Sequence, residues 1–297
     1  MTFDLNHSTL GKKISTPEKY DASLLFRIPR SENRVHYELN SANLPFVGFD
    51  VWNCYEVSFL TDNGLPVSRV LKLVYPADSE FLVESKSLKL YLNSFNMDCF
   101  GKTMMEAEKQ VLKLISNDLT RLLETKLSVS FFESSSQSSP VSLEFSKDLI
   151  SMISISELES IRFNHFTETP ELLGSKVSNS LNSYSFHTDL LRSNCRVTNQ
   201  PDWGDLIVQL STMHEIDFRS VIEYIVSFRR ENHFHEEVVE MIYKRFWDIF
   251  QPEKLVVMAM YTRRGGIDIN PVRASHPELI DQTLINPNIR VAKTLRQ

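Results

Sequence analysis

Ser87-Leu-Lys-Leu-Tyr-Leu-Asn-Ser-Phe95 and Ser220-Val-Ile-Glu-Tyr-Ile-Val-Ser-Phe228 align without a gap across the two halves of the chain. Ser, Tyr, Ser and Phe coincide, and the apolar residues between them keep a helical spacing, so each segment reads as a helix with one buried face. A shared helical period accounts for part of that match; the flanking elements carry the rest. Ahead of the first copy, Phe49 to Leu60 is rich in aromatic and β-branched residues and reads as a strand. Asp62-Asn63-Gly64 is a turn, and Val67 to Tyr75 returns as the second arm of a hairpin. After it, Glu106 to Leu123 reads as a longer helix, with Val111, Leu112, Ile115, Leu119 and Leu122 near a 3.6-residue period, and Leu127 to Phe132 reads as a strand. The second half repeats this order. Ser183 to Ser193 reads as a strand, Leu206 to Leu210 as its partner, Phe218 to Phe228 and Glu237 to Phe250 as helices, and Leu255 to Tyr261 as a strand. Both halves therefore read β-β-α-α-β, and the expectation is two copies of one α+β unit.

The boundary between them is expected near residue 150, giving units over 1–150 and 151–297. Glu133-Ser-Ser-Ser-Gln-Ser-Ser-Pro140 is a low-complexity polar stretch, a loop tip or a linker, and residues 150 to about 180 are irregular. Residues 1–45 read as mixed and loop-like, punctuated by Pro17, Pro29 and Pro45.

The 297 residues are 42% hydrophobic and 24% charged, as in a globular protein with ample material for a core. A formal net charge of −6 argues against non-specific nucleic-acid binding, which needs a basic footprint. No run of apolar residues is long enough to span a bilayer, and the first residues lack the basic head and apolar core of a signal peptide, so a cytoplasmic location is expected. Three cysteines, Cys54, Cys99 and Cys195, with no Cys-x-x-Cys pair, speak against both a disulfide framework and a thiolate zinc site. The eight glycines form neither a Rossmann fingerprint nor a P-loop.

Four segments can carry chemistry. In Ser193-Asn-Cys195-Arg-Val-Thr198-Asn-Gln200-Pro201-Asp202, a cysteine at the end of a strand is followed seven residues later by an aspartate, across a Pro-containing loop. A thiol attacks as thiolate, and a carboxylate folded back beside it can take and return the proton. The plain alternative is a packed cysteine and a turn aspartate. In Asn232-His233-Phe234-His235-Glu236-Glu237, two histidines and two carboxylates precede a helix, either as functional groups or as its cap. In Glu84-Ser85-Lys86-Ser87, a helix N-terminus with lysines beside it can hold phosphate or is an ordinary N-cap. In Arg263-Arg264-Gly265-Gly266, two arginines precede the one Gly-Gly pair of the sequence, as a phosphate grip or as a charged hairpin turn.

Together these segments resemble one family, the long tandem-domain form of the QueF-type NADPH-dependent 7-cyano-7-deazaguanine reductases. The resemblance also takes in Leu10-Gly11-Lys12, Tyr20 to Phe26 and Pro45 to Trp52, and is weakest over residues 133–180. It implies an α+β fold of two tandem tunnelling-fold units, each an antiparallel sheet with two helices packed on one face. It implies reduction of a nitrile to a primary amine at the cost of two NADPH, with Cys195 as the nucleophile that forms a thioimide and with Asp202 and His235 moving protons. By the same resemblance Glu84, Phe234 and Glu236 hold the 7-deazaguanine, and Ser85, Lys86 and Ser87, together with Arg263, Arg264 and Gly265, meet the cofactor. No metal is implied, nor any direct nucleic-acid or membrane contact. A homodimer follows by analogy. The first half keeps Glu84-Ser-Lys-Ser, whereas the second has Asp217 followed by Phe-Arg and carries the cysteine. One complete site is therefore expected where the halves meet. The competing readings are a metal-dependent pterin-type hydrolase of the same fold, marked by bound zinc, and a purine-binding protein without turnover.

Overall fold

The structure is a computed structural model and describes residues 17, 19–133, 140–142 and 146–297. The Leu10-Gly11-Lys12 segment and residues 134–139 of the polar stretch lie outside the described residues. The first half runs β1 (Arg27–Pro29), α1 (Arg30–Arg34), β2 (Val47–Leu60), β3 (Pro66–Pro76), β4 (Phe81–Val83), α2 (Ser85–Ser94), α3 (Met104–Leu123) and β5 (Ser128–Phe132). The second runs β6 (Lys147–Asp148), α4 (Ile155–Ser160), β7 (Ser175–Thr188), β8 (Arg192–Cys195), β9 (Pro201–Ile216), α5 (Phe218–Ser227), β10 (Asn232–His233), α6 (His235–Phe250), β11 (Lys254–Tyr261), β12 (Ile267–Ala274) and α7 (Gln282–Ile285). Among the described residues no helix is long and apolar enough to cross a membrane.

The architecture is α+β. One mainly antiparallel sheet runs β8-β9-β11-β12-β2-β3-β5, with β7 along β9 and β10 parallel to β8. Strand β12 joins the halves. It pairs with β11 on one side, Val257 opposite Arg273, and with β2 on the other, Ile269 opposite Trp52. Side chains alternate between faces along a strand. Leu255, Val257, Ala259 and Tyr261 pack under α5 and α6, and Trp52, Leu71, Leu73, Ile267 and Ile269 pack under α2 and α3. Since Ile267, Ile269 and Arg273 share one face of β12, and Arg273 meets α6, all four long helices cover the same face of the sheet. On the opposite face Val51, Met258, Met260 and Val272 pack against Ile280 and Leu284.

The aligned segments adopt the same local structure residue by residue. Glu84 caps α2, its carboxylate accepting from Lys86 N at 2.9 Å and Ser87 N at 2.7 Å; Asp217 caps α5, accepting from Arg219 N at 3.0 Å and Ser220 N at 3.4 Å. Ser87 Oγ donates to Glu84 O and accepts from Phe26 N, and Ser220 Oγ donates to Asp217 O and accepts from Gly174 N. Ser94 and Ser227 each donate to the carbonyl of the tyrosine three residues back. The tyrosines part company at their hydroxyls: Tyr91 donates to Asp118 and Tyr224 to Glu168.

Two expectations are corrected. The strand expected over Ser183 to Ser193 is two strands, β7 ending at Thr188 and β8 beginning at Arg192. The short partner Leu206 to Leu210 is the middle of the sixteen-residue β9, so Pro201 and Asp202 lie in a strand and not in a loop. The reason is the pairing of Arg192 with Trp203 and Ser193 with Asp202, which lengthens the ladder; Pro201 stands at its first residue, where a missing N–H is tolerated.

A buried ionic network ties α1, β2, α6 and β12 together. Arg273 donates to Asp50 at 2.8 Å and to Glu240 at 2.9 Å; Arg34 meets Glu240 at 2.7 Å and Arg30 meets Asp50 at 2.5 Å, every one of these side chains at most 3% exposed. Burial opposes the charge on Glu240, but Arg273 and Arg34 outweigh it and hold the carboxyl well below the usual range. Removing one member strands a buried charge, which makes the arrangement a strong constraint on geometry.

Candidate active site

A cavity of about 250 Å³ opens where the two halves meet, between the N-termini of α2 and α6 and the ends of β8 and β9. The first half contributes Trp52, Ser85, Lys86 and Lys89, and the second Cys195, Asp202, His235 and Glu236 among others.

Cys195 is the last residue of β8 and is half-buried. Its N–H donates to Gln200 O at 2.8 Å and its carbonyl accepts from Asn199 N at 3.0 Å. This tight turn places Asn199 at φ 55°, a left-handed conformation that Asn tolerates better than most residues. The turn returns the chain beside β8, so Asp202, seven residues on, faces the same cavity as the thiol.

Asp202 is 2% exposed. Arg264 Nη1 donates to its Oδ1, and His235 Nε2 lies 3.4 Å from its Oδ2. Burial would raise its pKa, but His235 and Arg264 more than offset this and hold the carboxyl below the ordinary aspartate range. Asp202 is therefore ionised and fixed in place from both sides. Arg264 also donates to Gln200 Oε1 at 2.7 Å, so its guanidinium is engaged with the cavity wall.

His235 and Glu236 open α6, whose first turn is closed by Glu237 accepting from Phe234 N at 3.2 Å. Glu236 is 2% exposed, lines the cavity, and its Oε1 is buried without a hydrogen-bond partner among the described residues. Burial and the neighbouring Asp50 push its pKa well above the usual carboxylate range, against the pull of Arg30. A buried carboxyl with an open lone pair awaits a polar ligand edge. Trp52 Nε1, also buried at the wall, has no partner either.

Of the residues singled out from the sequence, Cys195, Asp202, His235, Phe234, Glu236, Ser85, Lys86, Arg264 and Gly265 line the cavity. Gly265 has φ 58°, and a Cβ there would meet Lys89. Glu84, Ser87 and Arg263 are not at the wall: Glu84 and Ser87 form the cap and its anchor, and Arg263 lies over the Tyr55 ring at 3.5 Å. Sequence reasoning pointed to Lys89 beside Lys86 as a candidate phosphate ligand and to His233 only as alternating with His235, and it gave no role to Trp52 or Gln200. Gln200 and His233 lie within segments it quoted, but spacing gave no sign of which way they face. The arrangement offers a thiol, an imidazole–carboxylate pair able to move a proton, an unsatisfied carboxyl, and lysines at a helix N-terminus.

A family model described as nitrile reductase, 7-cyano-7-deazaguanine-reductase N-term, matches residues 16–131, and one described as QueF-like protein matches residues 201–279. The NADPH-dependent 7-cyano-7-deazaguanine reductase of Colwellia psychrerythraea is 39% identical over 302 residues, covering 99% of this chain and 97% of that protein. The protein of the same name from a Polaromonas species is 36% identical, covering 97% and 98%. The one from Rickettsia massiliae is 37% identical, covering 91% and 94%. A solved structure, the archaeosine synthase QueF-Like in the apo form, is 16% identical, covers 33% of this chain and 94% of its own, and superposes with a TM-score of 0.29, too distant to bear on the fold.

Proposed function

The chain belongs to the family of NADPH-dependent 7-cyano-7-deazaguanine reductases, and from that premise we propose that Cys195 is its nucleophile and Asp202 with His235 its proton carriers. The protein is an oxidoreductase of queuosine biosynthesis that reduces the nitrile of 7-cyano-7-deazaguanine to the aminomethyl group with NADPH. The observation that carries the residue assignment is the meeting of Cys195, Asp202 and His235 in one cavity with the unpartnered carboxyl of Glu236.

The Cys195 thiol gives its proton to Asp202, directly or through His235, and the sulfur attacks the nitrile carbon. One π bond of the nitrile becomes a C–S bond, and the nitrogen takes up a proton from the His235–Asp202 pair, giving a thioimide. Such a carbon accepts hydride more readily than a nitrile, so covalent catalysis divides one hard step. Two NADPH, bound one after the other, would each supply one hydride to that carbon. Departure of the thiolate after the first reduction frees Cys195 and leaves an imine, and the nitrogen takes its further protons through the His235–Asp202 pair, which is reloaded from solvent. Trp52, Phe234 and Ile267 keep water from the imine between the two reductions.

Glu236 accepts from the N–H and NH2 edge of the guanine-like ring, and Phe234 packs on the heterocycle. Glu84, which the resemblance makes a second substrate ligand, acts from its cap position by fixing Lys86 and Ser87. The cofactor fits the α2 end of the cavity, where Ser85, Lys86 and Lys89 stand at a positive helix N-terminus suited to phosphate. Arg264 serves Asp202, leaving the lysines as the phosphate ligands.

The paired caps and repeated serine bonds support two tandem tunnelling-fold units merged through β12. The β7 edge favours a homodimer, because among the described residues only the short β6 pairs along it, and Val177 and Leu181 are exposed beside it.

Two NADPH oxidised per amine formed is the expected stoichiometry, and a ratio of one contradicts retention of the imine. Asp202→Ala is expected to lose kcat far more than KM, because a proton carrier acts in the transition state. Equal losses in both would make Asp202 structural.

A further inference from the structure

Cys195 and His233 are backbone neighbours. Strand β10 runs parallel to β8 with His233 opposite Cys195, and both side chains line the cavity. The bridge is only two residues long, so the ladder alone holds the nucleophile weakly against the start of α6. Side chains add the remaining ties. His233 Nε2 lies 2.8 Å from Glu231 Oε2, and His233 Nδ1 lies 3.2 Å from Glu237 Oε2. A neutral imidazole donates from one nitrogen only and would aim the lone pair of the other at a carboxylate; the imidazolium alone donates to both.

Each carboxylate is anchored to a different part of the site. Glu231 accepts from Glu168 N at 2.8 Å through its side chain, while its backbone carbonyl accepts from Asn194 N at 2.8 Å, next to the nucleophile. Glu237 accepts from Phe234 N and lies 3.4 Å from Arg196 Nη1, closing the first turn of the helix that bears His235 and Glu236.

We propose that His233, as an imidazolium shared between Glu231 and Glu237, is a positioning residue that keeps Cys195 in register with His235 and Glu236, so that the site loosens when His233 loses its proton. This rests on the assignment of Cys195 as nucleophile. Burial disfavours the charge, but Glu231 and Glu237 outweigh it and raise the pKa to about 9. A raised folded-state pKa means the clamp is complete below the free histidine value of about 6.5 and is lost as pH rises through about 9. The charged groups around His233 are Glu231 from the turn before β10, Glu237 from α6 with Arg196 behind it, and across the cavity Lys86, Asp202 and Arg264.

The test follows formation of the Cys195 adduct with the nitrile alone, without NADPH, from about pH 6 to about pH 10, a span that brackets the histidine transition. A free thiol attacks faster as pH rises. The clamp instead predicts a decline above about pH 9. Glu231→Gln removes one of the two carboxylates and moves the decline to lower pH by about one unit or more. His233→Gln does not titrate and abolishes the decline while lowering the rate throughout. A decline at the wild-type pH in either variant overturns the proposal. Should Glu231→Gln fail to fold, His233→Gln alone decides. Absence of any adduct in the wild type at every pH overturns the nucleophile assignment instead.

Discussion

His235 lies flat on Tyr261, ring centroids 3.8 Å apart and planes within 3° of parallel, while its Nε2 faces Asp202 at 3.4 Å. Two contacts from different strands thus fix both the plane and the direction of the imidazole. Tyr261 is fully buried at the end of β11 and its hydroxyl has no partner among the described residues, so its ring is the working part. Tyr261→Phe is therefore expected to be neutral or slightly stabilising and to keep kcat, since it removes an unsatisfied hydroxyl. Tyr261→Ala is expected to cost about 3–5 kcal/mol in denaturant unfolding and to lower kcat more than KM as the imidazole loses its support.

Arg264 is expected to set the acid limit of the enzyme. It sits on Asp202 and, with His235, overrides the cost of burial to keep that carboxyl ionised. A depressed folded-state pKa contributes stability that is present above the free aspartate value of about 3.9 and lost as pH falls through the folded value. Arg264→Gln should move the acid limb of kcat/KM to higher pH. An unmoved limb would show that another group controls it.

Glu236 titrates in the opposite sense. Burial and Asp50 raise its pKa, so the folded protein favours the protonated carboxyl. Its contribution to stability is complete below the free glutamate value of about 4.3 and declines as pH rises toward the folded value. Glu236→Gln cannot ionise. Its Tm relative to wild type should therefore rise steadily from mildly acidic to mildly alkaline pH. Its KM for the nitrile should increase, because the donors of the ring edge favour the carboxylate form on binding and an amide cannot give up its N–H donors to become a pure acceptor.

The two helix caps separate stability from function. Glu84→Ala and Asp217→Ala should each cost about 1 kcal/mol, the usual worth of an N-cap side chain. Glu84 fixes Lys86 at the cavity and Ser87 behind it, and Asp217 fixes Arg219 and Ser220 away from it. Glu84→Ala should raise KM for NADPH, and Asp217→Ala should not.

The helices were legible because each buries one face: α2, α3, α5 and α6 lie within a few residues of where apolar spacing puts them. Strand β12 was not. It is buried on both faces, so it lacks alternation, and it carries Pro271, Asp268, Asn270 and Arg273, which give no strand pattern. Yet it is the strand that merges the halves. The internal match at Ser87 and Ser220 was a true guide, because its serines make backbone bonds that depend on residue type rather than on helical period. Cys195 and Asp202, singled out by spacing and given roles by resemblance, line one cavity, though the intervening chain is a turn into a strand and not a long loop. His233 went unselected because its role depends on Glu231 and Glu237 on either side of it, a relation that exists only once the chain turns into α6.

The central claim is that Cys195 forms a covalent bond with the nitrile. Its most direct test is the intact mass of the protein after incubation with 7-cyano-7-deazaguanine and no NADPH. A gain equal to one nitrile molecule is expected, located at Cys195 by peptide mapping, lost on adding NADPH and absent in Cys195→Ala. No gain in the wild type, or a gain that persists in Cys195→Ala, would contradict it.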